Sequence, residues 1–133
     1  SEFTIKPDQL YTQHTIKASQ AIKGICTGIV KTKAGELLKK ESKNKKWAYL
    51  ATYGEQSLVP DKLGMAIFYE ISTIENIADT DLDYLLVFKP TTKATTFYLL
   101  GAWEQEVNGI KNKEEFAKYL DQKLEVLNKK GKM

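Results

Sequence analysis

A chain of 133 residues, 42% hydrophobic and 11% aromatic, has room for one packed core and is too apolar for intrinsic disorder. Its net charge of +3 rests on 20 basic residues that are all lysine. Without the planar fork of arginine it is poorly equipped to read phosphates or guanine edges, so no nucleic-acid partner is expected. No apolar run approaches the roughly 18 residues needed to cross a bilayer, so no membrane span is expected either.

The opening Ser1, Glu2 and Phe3 show neither an initiator Met nor a signal peptide. They read as a vector scar, with the native targeting signal missing. Period-two alternation begins at Leu10: Leu10, Thr12, His14, Ile16 and Ala18 share one face of a predicted strand, with Tyr11, Gln13, Thr15 and Lys17 on the other. Further β-branched and aromatic runs predict strands over 21–31, 35–41, 46–53, 63–72, 84–89 and 95–102. The stretches between them, among them NIADTDLD (76–83), carry the Gly, Pro, Asn and Asp of turns. The lysine-rich run 39–46 reads as a solvated hairpin tip. Cys26, the single cysteine, precludes an internal disulfide and reads as a buried, inert thiol.

The C-terminus changes period. Asn112 followed by Glu115 resembles a capping box, and Phe116, Leu120, Leu124 and Leu127 repeat at helical spacing. Lys129, Lys130 and Gly131 form a helix stop. The predicted fold is mainly β: an antiparallel β-sandwich of about seven strands, with one C-terminal amphipathic α-helix over 112–130 packed on a sheet. Short links exclude parallel crossovers, and 1–133 reads as a single domain.

Candidate chemistry is sparse. His14, the only histidine, is either a general acid or base in a cleft or a hydrogen-bonded histidine on a sheet face. One His and one Cys make no ordinary zinc set, and no metal site is predicted. Glu104 and Glu106 would share one side if the strand continued, the arrangement in which paired carboxylates cleave glycosides. Asp79, Asp81 and Asp83 lack the Gly and closing Glu of a calcium loop. Trp103, Trp47, Tyr49, Tyr53, Tyr69, Tyr84 and Tyr98 form a set suited either to sugar stacking or to core packing. Trp103 in particular either anchors the sheet-to-helix junction or stacks a sugar.

The segments TIKPDQLYTQHTIKAS, GICTGIVK, KLGMAIFYE and YLLGAWEQE, with the KNKEEFAKYLD helix start, carry a family resemblance. They resemble the C-terminal half of a Bacteroidetes family of unknown function from polysaccharide-utilisation loci, whose fold is similar to the galactose-mutarotase-like β-supersandwich. The likeness runs from Thr4 to about Leu127. It implies a carbohydrate partner on a concave sheet face, with His14 and Glu104 as catalytic acid and base and Trp103, Tyr69 and Tyr98 facing the sugar. If catalytic, the domain would be a polysaccharide lyase, glycoside hydrolase or sugar epimerase working by general acid–base chemistry without a cofactor. The resemblance also implies a periplasmic or secreted setting. Family members are longer, so it further implies a fragment that forms a homo-oligomer or associates with a missing N-terminal half. The alternatives are a non-catalytic accessory module and a small-ligand carrier with a cavity under the helix.

Overall fold

Trp47, Tyr49 and Tyr53 alternate with Ala48, Leu50 and Thr52, yet every residue of this strand is buried. Alternation normally leaves one face wet; here both faces are covered, because the strand lies in the middle layer of three. The computed structural model describes all residues except 8, 42–44, 58 and 107–108. Among the described residues it contains strands β1 (Glu2–Ile5), β2 (Tyr11–Ile16), β3 (Cys26–Val30), β4 (Glu36–Lys40), β5 (Trp47–Gly54), β6 (Leu63–Glu70), β7 (Ile74–Asp79), β8 (Asp83–Phe88) and β9 (Thr95–Trp103). They are followed by helix α1 (Lys113–Lys130). The pairing is antiparallel throughout, giving a six-stranded sheet in the order β1-β2-β9-β6-β5-β4 and a three-stranded sheet in the order β3-β8-β7.

The mainly β architecture with one C-terminal helix therefore holds, with two strands more than the sequence predicted. The first addition, β1, pairs its Phe3 with His14 of β2, so the residues read as a scar belong to the sheet. The second, β7, falls in the stretch assigned to a turn. It is an edge strand of polar and apolar residues with a bulge between Ile74 and Asn76, and such a strand has little alternation to detect. The run predicted over 21–31 contracts to β3, because Gly24 sits at φ 88°, a left-handed conformation that ends extended structure. Cys26 begins β3 and is exposed, so the expectation of a buried thiol is corrected. Around the lysine-rich run, β4 pairs with β5 as a hairpin requires; residues 42–44 themselves lie outside the described residues.

Helix α1 seals one face of the large sheet. Phe116, Leu120, Leu124 and Leu127 pack against Tyr11, Trp47, Tyr49, Tyr53, Phe68 and Tyr98. Burying each of these four side chains contributes about 1.5–3 kcal/mol. The fit is close: the Phe116 ring lies 2.6 Å from where a Cβ on Gly64 would stand. That packing leaves the carrier reading without support at this interface. The Asn112 side chain accepts from the Glu115 amide at 2.8 Å, and Gly131 closes the helix at φ 75°. The reciprocal bond of the capping box is shifted by one residue, because Glu115 accepts from the Lys111 amide at 3.0 Å.

On the opposite face, Ala48, Leu50, Ile67, Tyr69 and Phe97 pack against Ile29, Leu86 and Phe88 of the small sheet. Three strands are too few to cover six. At the β1 end Phe3 and Ile5 stay 59% and 75% exposed, and at the far end of β9 Trp103 is also exposed.

Candidate functional site

His14 lies opposite Phe97 of β9 and Phe3 of β1, on the face turned towards the small sheet. Its imidazole stacks on Phe3 with 3.8 Å between ring centroids and meets Phe97 at 4.7 Å. Its Nε2 is buried with no hydrogen-bond partner among the described residues. Burial first, and then the positive N-terminus, lower its pKa below the ordinary 6.5, so the ring is neutral at physiological pH. The structure thus places His14 as one ring of an aromatic stack, with no hydrogen bond or ion pair among the described residues.

Glu104 is distant from it. Phe97 marks the His14 level and β9 runs six residues further to Trp103, so a rise of about 3.3 Å per residue carries the strand about 20 Å away, with Glu104 just beyond its end. An acid and a base working on one substrate must each reach its reacting atoms, typically with about 5–10 Å between the two groups, so a separation of about 20 Å does not form an acid–base pair. The strand does not continue through the two glutamates either. It stops at Trp103, and a turn follows in which the Glu106 amide donates to the Trp103 carbonyl at 3.1 Å. The shared side expected for Glu104 and Glu106 is therefore corrected. The Glu104 amide donates to the Lys62 carbonyl at 3.0 Å, and its own carbonyl accepts from the Lys111 ammonium.

Two of the three aromatics expected to face a sugar are core residues. Tyr98 is 2% exposed beneath α1, and its hydroxyl accepts from the Met133 amide at 3.5 Å. Tyr69 is 3% exposed between the two sheets, where burial and then the negative Glu41 push its pKa up to about 12. At the levels of Tyr69 and Tyr98 the large sheet is covered on both faces, by α1 on one side and the small sheet on the other, so either aromatic meets protein.

Trp103 is different. It ends β9 on the face away from α1, and 39% of it remains exposed. Among the described residues it belongs to neither core cluster. Its indole Nε1 donates to Asp61 Oδ2 at 2.6 Å, and Asp61 is itself buried. A buried carboxylate thus holds an exposed indole in one orientation. The second carboxylate oxygen, Oδ1, is buried and has no partner among the described residues.

Further along the same sheet face the surface opens into a groove that Trp103 itself does not line. Gly101 shares the Trp103 face two residues back, and a Cβ there would meet nothing within 4 Å. Met65 stands opposite Gly101 and Thr12 opposite Leu99. With Gly28 and Val30 of β3 as a wall, these residues line a groove of about 430 Å³. Sequence reasoning missed Asp61 and Gly101. A glycine inside a strand is itself a mark of close approach or open surface and was available as a signal; Asp61 is 42 residues from its partner and gave none. Among the described residues, no three His, Cys, Asp or Glu side chains gather to hold a metal ion.

The chain matches the family model described as a domain of unknown function, DUF4861, over residues 1–132. No curated protein and no solved structure matches it.

Proposed function

Because the chain belongs to the DUF4861 domain family, whose description assigns no function, we propose from its own geometry that it is a carbohydrate-binding β domain. The observation that carries the proposal is the part-exposed Trp103 indole, hydrogen-bonded to buried Asp61 and on the same sheet face as the open Gly101 position. Aromatic faces stack on the C–H faces of sugars, and a ring already held by a hydrogen bond loses little freedom when it does so. A binding role is favoured over catalysis because His14 and Glu104 stand about 20 Å apart along β9. The resemblance to polysaccharide-utilisation proteins supports an exported setting, in the periplasm or outside the cell of a polysaccharide-degrading bacterium.

Affinity electrophoresis through gels containing neutral or acidic polysaccharides tests the reading. At least one polysaccharide should retard the chain, Trp103→Ala should abolish the retardation, and Asp61→Ala should weaken it. Retardation that survives Trp103→Ala removes the basis of the proposal.

A second reading rests on Phe3 and Ile5, which expose apolar side chains on the same sheet face. Apolar surface of this kind marks association, so a second copy, or a further segment of the protein, would extend the sandwich over β1 and β2. Light scattering on the chain and on a Phe3→Ser, Ile5→Ser variant tests it: association should be present in the first and lost in the second.

A further inference from the structure

At the end of the sandwich opposite Trp103, the two sheets part around a cleft of about 220 Å³. Its apolar lining comes from Ile16, Ile25 and Phe88, and three lysines, Lys17, Lys89 and Lys93, border it. Thr91 and the buried Thr95 supply hydroxyl-bearing side chains between these two sets. Among the described residues none of the three lysines engages in an ion pair, although six other lysines do. Of the acids around the cleft, Glu2 adjoins the lining residue Ser1, and Glu70 lines an adjoining cleft of about 380 Å³ that shares Lys89 and Lys93. Glu70 faces Lys46 at 3.9 Å.

The backbone around the cleft is held in place. The Phe88 amide donates to the Ile25 carbonyl at 2.9 Å, and the Lys89 amide to the Thr73 carbonyl at 2.9 Å. In the turn between β8 and β9, the Lys93 amide donates to Thr91 Oγ1 at 3.1 Å. Lys89 and Lys93 therefore leave fixed backbone positions on two sides of one opening. Ser1 also borders the cleft, but the three lysine side chains suffice without it.

We propose that this cleft is a second binding site, separate from the Trp103 face, for a compact organic carboxylate with an apolar face. Three ammonium groups around one opening, unpaired among the described residues, concentrate positive potential, which an anion relieves. The apolar lining selects against an inorganic ion, which has no apolar surface to bury there, and the volume is below the range typical of drug-sized ligands. Two sources share this chemistry: a uronic acid residue of a polysaccharide and a free carboxylic acid.

The test is a titration of the ¹⁵N-labelled chain followed by amide chemical shifts, with galacturonate, benzoate, glucose and inorganic phosphate as separate probes. Binding of either carboxylate should shift the Ile25, Thr91 and Thr95 amides, whereas glucose and phosphate should leave them in place. Galacturonate alone identifies the polymer as the source, and benzoate alone the free acid. In the Lys89→Gln, Lys93→Gln pair, affinity should fall about ten-fold or more, the equivalent of one charge-assisted contact. Lys118→Gln on the exposed side of α1 should leave it unchanged, as should Trp103→Ala, which separates this site from the Trp103 face. Absence of shifts with both carboxylates, equal shifts with phosphate, or binding indifferent to the Lys89 and Lys93 changes overturns the proposal. The shifts on the unmodified chain decide the matter even if the double variant fails to fold.

Discussion

The Tyr49 hydroxyl donates to Asp121 Oδ1 across 2.9 Å, tying the middle of α1 to strand β5. The same carboxylate oxygen lies 3.4 Å from the Lys40 ammonium of β4, so one helix residue clasps two strands. Tyr49→Phe removes the bond with little change in shape and should cost about 1–2 kcal/mol, nearer the lower figure because Asp121 is partly solvated. Urea denaturation of Tyr49→Phe, Asp121→Asn and the double variant should give a positive coupling energy. Additive losses would show that the two groups do not interact in solution.

The buried phenols make stability sensitive to alkali. Tyr49 is held well above its ordinary pKa by burial and then by Asp121, and Tyr69 is pushed up to about 12 by burial and then by Glu41. Between pH 10 and 12 the unfolded chain releases these protons while the folded one keeps them, so the unfolded state binds fewer protons and stability falls as pH rises. Below pH 10 the contribution is intact. Unfolding free energies measured from pH 8 to 11.5 should therefore slope downwards above 10, and the slope should be shallower in Tyr69→Phe.

His14 gives a smaller effect at the acid end. Its folded pKa lies below 6.5, so as pH drops through 6.5 the unfolded chain takes up a proton before the folded one does. Stability is complete above that pH and declines below it. Replacing the imidazole with another ring, His14→Phe, should keep the stack with Phe3 and Phe97 and remove this part of the acid sensitivity. Parallel melts at pH 7.5 and pH 5 for the two proteins provide the comparison. An unchanged pH difference would mean that His14 is solvated.

Two glycines on the large sheet should respond oppositely to one methyl group. At Gly64 the new Cβ would strike the Phe116 ring, and overpacking of that kind costs about 1–3 kcal/mol. At Gly101 it enters open space, so Gly101→Ala should change stability by less than about 0.5 kcal/mol. Thermal melts read the first. Carbohydrate retardation reads the second, because a methyl at this open position would intrude on a ligand lying against Trp103.

What could be read from the sequence was local. Four apolar residues at helical spacing gave α1, and all four are buried. The Asn112 cap lay three residues from the amide it accepts, well inside a reading window. Most strands were equally visible through alternation. The site was not, because exposure on a strand depends on what lies above it. Tyr69, Tyr98 and Trp103 look alike as aromatics in neighbouring strands, and only the placement of the small sheet and the helix separates two core residues from one surface platform. That placement is long-range, as is the Asp61 contact that orients the indole. Strands β1 and β7 escaped for a local reason: β1 has only four residues, and β7 runs into the Asn and Asp of a stretch that reads as a turn.

The position of β9 in the sheet has a consequence during synthesis. This strand sits between β2 and β6, and across the first of these seams the Thr15 and Thr96 hydroxyls meet at 2.8 Å although 81 residues separate them. While the chain leaves the ribosome, β2 and β6 have no neighbour on their inner sides until residues 95–103 emerge. Loop closure of this length slows folding, and unfilled strand edges invite pairing between nascent chains. Chains truncated before β9 should therefore persist as open half-sheets, and emergence of residues 95–103 is the step that commits the domain to its fold.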